Sequence, residues 1–376
     1  MNLSAFRALF VKEMRQVRRD PLSLVMLLGL PALMLVLYGY ALNFDVRHVA
    51  LAVQDRDLSP ASRDLVATFV NSTFFDRVAD LGPGEDPEGL FERRVARAVL
   101  VIPEGHAARV ERGELSPVQF LVDGADAGTA STVLGYANAL TADANVRLVE
   151  RRLAAAGREP PGAIAYQPRV WFNPELSSTR FLVPGLAGVL LMLTGVVSTA
   201  LSVVREKERG TMEQLRIAPL GTFQLLLGKT LPYLLQSLLV TVVILVVANL
   251  LFGLTVRGPL SALFVATLLY LMGALGLGLL ISTLADSQAA AFQISLIASL
   301  LPAVLLSGFI FPIRSMPPFL QVITHVVPAR YYLVLLRGII LKGTGLGPYL
   351  DQLGALAIYA TATLGLASLR LARGKG

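Results

Sequence analysis

FLVPGLAGVLLMLTGVVSTALSVV, residues 181–204, contains no charged residue, and it is followed at once by REKERG, residues 205–210, in which five of the six residues are charged. About 20 consecutive apolar residues are needed to cross the hydrocarbon core of a bilayer as a helix. The first stretch meets that length, and the abrupt switch after Val204 marks the passage from lipid to water. The same reading extends outward. Comparable runs occupy 22–42, 230–254, 260–284, 289–311 and 349–370, giving six predicted spans. Two shorter apolar runs, 319–327 and 331–341, are bracketed by Pro317-Pro318, Pro328 and Gly343. At about ten residues each they are too short to cross and read as re-entrant or interfacial helices within a segment 312–343.

Composition divides the chain in the same way. Over all 376 residues the charged fraction is 16% and the mean hydropathy is +0.63, whereas a soluble domain carries about 25% charge. Residues 44–175 alone hold 14 Arg, no Lys and 19 Asp or Glu, which is a soluble composition. The rest is composed like membrane. A purely soluble enzyme, a disordered chain and a single-anchor protein are thereby excluded. The chain has no cysteine, so disulfides, thiolate catalysis and Cys-ligated metal are excluded too.

Within 44–175, Val49–Val53 and Ala96–Ile102 read as buried strands, with Val118–Val122 and Arg169–Phe172 as weaker candidates. Ser59–Asn71, Glu104–Arg112 and Asp126–Leu153 read as helices. Such alternation predicts a compact α/β domain. Residues 2–19 read as an amphipathic helix, with Leu3, Phe6, Phe10, Met14 and Val17 on one face and Arg7, Lys12, Arg15, Arg18 and Arg19 on the other. Such a helix rests among lipid headgroups.

Thirteen Lys and Arg fall in 1–20, 205–229 and 370–376, against five (Arg257, Arg314, Arg330, Arg337 and Lys342) in the flanks on the opposite side. The positive-inside rule then places both termini in the cytoplasm. It also accounts for a net charge of +7 without any role for nucleic acid. The expected fold is a polytopic α-helical membrane protein of six transmembrane helices with an extracytoplasmic α/β domain inserted between spans 1 and 2. Its expected parts are a cytoplasmic helix at 1–20, the first span at 21–43, the domain at 44–178 and the remaining spans over 179–376. The last part includes a cytoplasmic loop at 205–229 and the extracytoplasmic re-entrant segment 312–343.

Candidate chemistry is sparse. Gly228-Lys229-Thr230 resembles the end of a phosphate loop, but Phe223 stands where that loop needs glycine, so Lys229 reads as a membrane-edge cation. Gly273, Gly276 and Gly278 lie inside a span, where small residues let helices approach. The three His are far apart and near no carboxylate cluster, so neither metal nor cofactor is expected. No span core carries Asp, Glu, Lys, Arg or His, which argues against ion-coupled transport. Gln236, Asn249, Ser282, Thr283, Gln293, Ser295 and Ser299 are neutral polar residues at depth. They either line a path for an amphiphile or bond between helices. The loop 205–220 offers Arg205, Glu206, Lys207, Glu208 and Arg209, then Gly210 as a helix breaker and Thr211 as a cap, with Glu213 and Gln214 in a following first turn. It is either a docking element or a solvated connector. Asp286, Ser287 and Gln288 form a second short cytoplasmic turn.

Val204–Thr211 with Glu213-Gln214-Leu215 and Pro219-Leu220 resembles the signature loop of ABC-2 type permeases, the membrane subunits of a class of ATP-binding-cassette exporter. Ile102-Pro103-Glu104-Gly105, Gly113 and Val122-Asp123-Gly124 resemble the extracytoplasmic domain of the subfamily with a large insert. Asn173-Pro174-Glu175 with Val183-Pro184-Gly185 resembles the start of its second span. Ser307–Pro312, Met316-Pro317 and Pro328–Tyr332 resemble its re-entrant segment.

The resemblance implies two permease subunits, alike or similar, paired with two cytoplasmic ABC ATPase subunits. The N-terminal helix and the loop at 205–220 would form the contact, with Asp286 beside it. ATP would be hydrolysed on the partner, not on this chain. The subfamily often works with a periplasmic adaptor protein, and a bacterial inner-membrane location follows. An amphiphilic, lipid-like or drug-like substrate fits the neutral spans. The alternative is a membrane-anchored scaffold that transmits force to an extracytoplasmic partner and carries nothing. A membrane-embedded enzyme would require a cluster of Asp, Glu, His or Ser that the sequence lacks.

Overall fold

The computed structural model describes residues 3–19, 21–41, 46–82, 84–157, 169, 171–174, 177–211 and 221–373. The chain divides into two units, Met1–Asn43 with Arg169–Gly376, and Phe44–Pro168. The first unit opens with α1 (Leu3–Arg19) and α2 (Pro21–Ala41).

The second unit contains β1 (Val49–Asp55), α3 (Pro60–Val70), β2 (Phe75–Asp80), α4 (Glu88–Glu92), β3 (Ala98–Ile102), α5 (His106–Arg112), β4 (Gln119–Val122) and α6 (Ala127–Ala155). The strand order is β2-β1-β3-β4. β1 pairs in parallel with β2 and β3, and β4 closes the sheet antiparallel to β3. The two central strands are buried on both faces, which is why they read as unbroken apolar runs. Val49, Leu51, Val53, Ala98, Leu100 and Ile102 pack with Phe69, Phe75 and Val133 on one face. Ala52, Val99 and Val101 pack with Leu90 on the other.

Helix starts follow their caps. Ser59 accepts from the Ser62 amide before Pro60, and Asp126 accepts from the Gly128 and Thr129 amides. β2 escapes sequence reading because it is an edge strand in which Phe75 alone is fully buried and Asp76, Arg77 and Val78 face outward. Of the expected strand at 169–172, the described residues Arg169, Trp171 and Phe172 form none.

The first unit resumes with α7 (Ser178–Glu208), α8 (Thr222–Phe252), α9 (Leu260–Leu284), α10 (Gln288–Leu305), α11 (Pro318–Ile323), α12 (Pro328–Lys342) and α13 (Leu350–Arg373). Among the described residues, five helices are long and apolar enough to cross a membrane: Ser178–Glu208, Leu226–Phe252, Leu260–Leu284, Gln288–Leu305 and Gly347–Leu371. The pair Pro318–Val326 and Pro328–Lys342, bent by 83°, brings the number to six if it is one broken span. The protein is therefore a polytopic α-helical membrane protein with a separate α/β domain. One expectation is corrected. All five full-length spans follow the domain, so by this measure it precedes the first span and does not lie between the first and second. The described apolar stretch before the domain, Leu27–Ala41, is shorter than the about 20 residues that a crossing takes.

α7 is the centre of this unit. In its most apolar window 78% of residues are buried, against 22% in α10 and 22% in α13, and it packs against α2, α8, α9, α10 and α12. Lipid is as apolar as leucine, so close packing of small residues holds such helices together. A Cβ on Gly278 of α9 would sit 2.5 Å from the Val196 carbonyl oxygen of α7. A Cβ on Gly276 would sit 2.5 Å from Thr363 Oγ1 of α13. The rings of Tyr270 on α9 and Tyr332 on α12 stack at 4.0 Å. Tyr270 donates to the Gly188 carbonyl at 2.8 Å, and the Tyr332 hydroxyl lies 3.0 Å from Thr267 Oγ1, so neither buried phenol is left unpaired. On α12, Arg337 donates to the carbonyls of Gly308 at 3.1 Å and Phe309 at 3.4 Å, and its guanidinium lies 3.6 Å from the centroid of the Phe181 ring.

Gly278→Val forces α9 away from α7 and lowers stability by about 1–3 kcal/mol, the usual cost of overpacking. Gly365→Ala, where a Cβ meets nothing within 4 Å, does not. Thermal unfolding of the detergent-solubilised protein checks the pair, and equal midpoints would refute the packing account.

Candidate functional site

The last turn of α7 carries four consecutive charged residues, Arg205 to Glu208. Successive residues on a helix are turned by about 100°, so their side chains cannot share a surroundings. Glu206 turns inward and is 4% exposed. It forms ion pairs with Lys12 of α1 and with Lys229 of α8. Lys229, 3% exposed, lies 3.1 Å from Glu13, and Glu13 lies 3.2 Å from Lys12. Two carboxylates and two ammonium groups thus alternate, with no net charge, where three helices meet. Burial disfavours a charged Lys12, but its hydrogen bond to Glu206 and the nearby Glu13 carboxylate outweigh that, and its pKa is raised.

Gly228 makes the approach possible. A Cβ there would sit 2.5 Å from Leu9 Cδ2 of α1. The sequence signal for this site is Glu13, which stands four residues after Leu9 and four before Val17 on the apolar side of α1. A lone carboxylate on such a face requires a cation opposite it.

The other charged residues of this turn point elsewhere. Lys207 donates to the Ser282 carbonyl at 2.5 Å and to that of Ala285 at 3.3 Å. Glu208 accepts from the Gln288 backbone amide at 2.7 Å and from its side-chain Nε2. Arg205 Nε donates to Gln288 Oε1 at 3.1 Å. Arg209 and Gly210 are exposed, and Gly210 adopts φ +68°, turning the chain out of the helix. Thr211 donates to the Glu206 carbonyl at 3.3 Å. Asp286 is exposed in the turn between α9 and α10. Glu213 and Gln214 lie outside the described residues.

The neutral polar residues differ in their settings. Ser282, Thr283 and Ser299 donate to carbonyls of their own helices, those of Leu279, Leu280 and Ser295. Asn249 and Gln293 are exposed. Gln236 and Ser295 are buried, with Gln236 Oε1 and Ser295 Oγ unpartnered in the chain.

Glu206→Ala leaves Lys229 buried beside a single carboxylate and costs about 3–5 kcal/mol, as does breaking other buried pairs. The double replacement E206L/K229M keeps the Lys12–Glu13 pair and recovers most of that loss, because both buried charges leave together. Unfolding midpoints of the two variants decide the matter. A double variant less stable than the single one would contradict the account.

The profile described as "ABC-2 family transporter protein" matches residues 22–369. The chain is 35% identical over 341 residues to the probable multidrug ABC transporter permease YbhS of Escherichia coli (strain K12), covering 90% of this chain and 88% of that one. It is 28% identical to the probable multidrug ABC transporter permease YbhR of the same strain, over 97% of both chains. It is 22% identical to the linearmycin resistance permease protein LnrN of Bacillus subtilis (strain 168), over 95% of this chain and 97% of that one. With this match along nearly its whole length, joined to a bundle of spans that ends in a paired ionic cluster, the chain belongs to the ABC-2 family of transporter proteins as a non-catalytic permease subunit.

Proposed function

We propose that the protein is the membrane subunit of a bacterial inner-membrane exporter, worked from the cytoplasm by separate ABC ATPase subunits that dock on Arg209, Gly210, Thr211 and the segment after them. The observation that carries this reading is the ionic cluster. It ties α1, α7 and α8 into one platform, and the Arg209–Gly210 turn projects from that platform. The same end of the unit holds Arg7, Arg15, Arg18 and Arg19 of α1, Arg205, Lys207, and Arg370 and Arg373 at the end of α13, which the packing of Ala367 with Val203 and Leu226 puts beside α7 and α8. Positive charge of this density belongs on the cytoplasmic side, and α1 there rests on anionic lipid.

Glu206 is a strut of this platform and not part of its docking face. Glu208 and Asp286 are exposed at its side. A second permease subunit covers α10, whose Phe292, Gln293, Ile297 and Leu301 are exposed. An amide facing outward at membrane depth calls for a protein neighbour more than for lipid. The cargo is an amphiphilic, lipid-like or drug-like molecule. Supporting that are the neutral polar residues Gln236, Ser282, Ser295 and Ser299 within the spans and the printed names of the relatives, two multidrug permeases and a linearmycin resistance permease. A periplasmic adaptor completes the proposed assembly.

Two measurements test this reading. Arg209→Cys, in a chain without cysteine, reacts with a membrane-impermeant maleimide in inverted vesicles and not in intact cells. Labelling from outside would end the proposal. Gly210→Val puts a β-branched residue at positive φ, at a cost of about 1–2 kcal/mol. It cuts substrate-stimulated ATPase activity of the assembled complex while membrane insertion stays normal. Unchanged stimulation would remove this turn from the coupling path.

A further inference from the structure

The last turn of α7 grips the α9–α10 turn on both flanks. On one side Lys207 bonds the carbonyls of Ser282 and Ala285, where α9 ends. On the other side Glu208 bonds the backbone amide of Gln288, where α10 begins. A cation at a helix C-terminus and a carboxylate at a helix N-terminus each match the local end of the macrodipole. Adjacent residues of opposite charge thus meet adjacent helix ends of opposite polarity.

Between them sits the Gln288 side chain. Its Oε1 accepts from Arg205 Nε at 3.1 Å and its Nε2 donates to Glu208. A primary amide accepts from a guanidinium and donates to a carboxylate at once, and no charged or apolar side chain does both. The amide is therefore fixed in orientation and held from two residues of α7. α10 also packs along α7, although only 22% of its apolar window is buried. Its first turn is its most polar attachment to α7 among the described contacts.

We propose that Gln288 is a positioning residue that carries displacement of the α7 terminus into α10, through the clamp Arg205–Gln288–Glu208. This rests on the reading of the 209–211 turn as the ATPase contact. It adds the next link, from that contact to a span with an open face.

The test uses the complex purified with its ATPase subunit in lipid nanodiscs. Leu305→Cys, at a position 42% exposed at the far end of α10 and beyond the residues assigned to the second subunit, is the only thiol in this chain. Its rate of maleimide labelling is measured with and without ATP and vanadate. The native clamp gives an ATP-dependent change in rate. Q288L retains the ATPase subunit and shrinks that change by about fivefold or more, the usual span of a coupling between sites. Q288E sets a second carboxylate against Glu208 and does the same. The exchange E208Q/Q288E returns one amide and one carboxylate to the clamp and restores the response.

Unfolding midpoints are recorded for each variant, because a purely structural role would follow stability and would not be rescued by the exchange. An undiminished response in Q288L, or an assembled E208Q/Q288E complex that stays silent, overturns the relay alone. Should the native chain bind no ATPase subunit or show no response to ATP, the functional reading falls and the relay with it. If Q288L does not assemble, Q288E against the double exchange decides.

Discussion

A carboxylate with almost no exposure, at the end of a membrane-spanning helix, exists as an ion only if cations surround it. Glu206 meets that condition with Lys12 and Lys229, and Glu13 balances the count. The energetic logic is asymmetric. The intact cluster adds little stability over an apolar core, yet losing one member is costly. Such a site specifies an arrangement more than it strengthens one. It obliges α1, a helix too polar to enter lipid, to lie against α7 and α8 at one depth and in one orientation. Everything projected beyond it, the Gly210 turn included, inherits that frame.

The middle of the unit is organised by shape. Glycines on α9 bring it against α7 and α13, and the stacked tyrosines fill the centre. Packed cores of this kind do not deform continuously. They shift as bodies, and a force applied at the charged end therefore reaches whole helices. The contrast between a central α7 and a lightly covered α10 gives such a shift a direction, from the inner helix to the outer one.

Much of this was legible in the sequence because hydrocarbon imposes a length that soluble folds do not. The helices of the second half follow the apolar runs closely, and the small residues at 273, 276 and 278 pack as their setting implied. The central strands were legible for a related reason, burial on both faces. β2 was not, since an edge strand with Asp76, Arg77 and Asp80 has no apolar rhythm. Nor could composition tell which way each residue of Arg205–Glu208 points. That depends on where α7 ends relative to its neighbours, and it separates a strut (Glu206) from a clamp (Glu208). The neutral polar residues were legible as polar and no further. A serine that bonds its own helix and one that faces a buried gap have the same letters around them.

Arg337 joins two carbonyls at the end of α10 to an aromatic ring on α7. A lysine could supply the charge, but not the planar fork that reaches both oxygens or the flat face that rests on Phe181. The position thus has no close relative among the twenty amino acids. Random drift there has no gentle first step, and a designer recolouring this bundle with other side chains would have to leave that one tile in place.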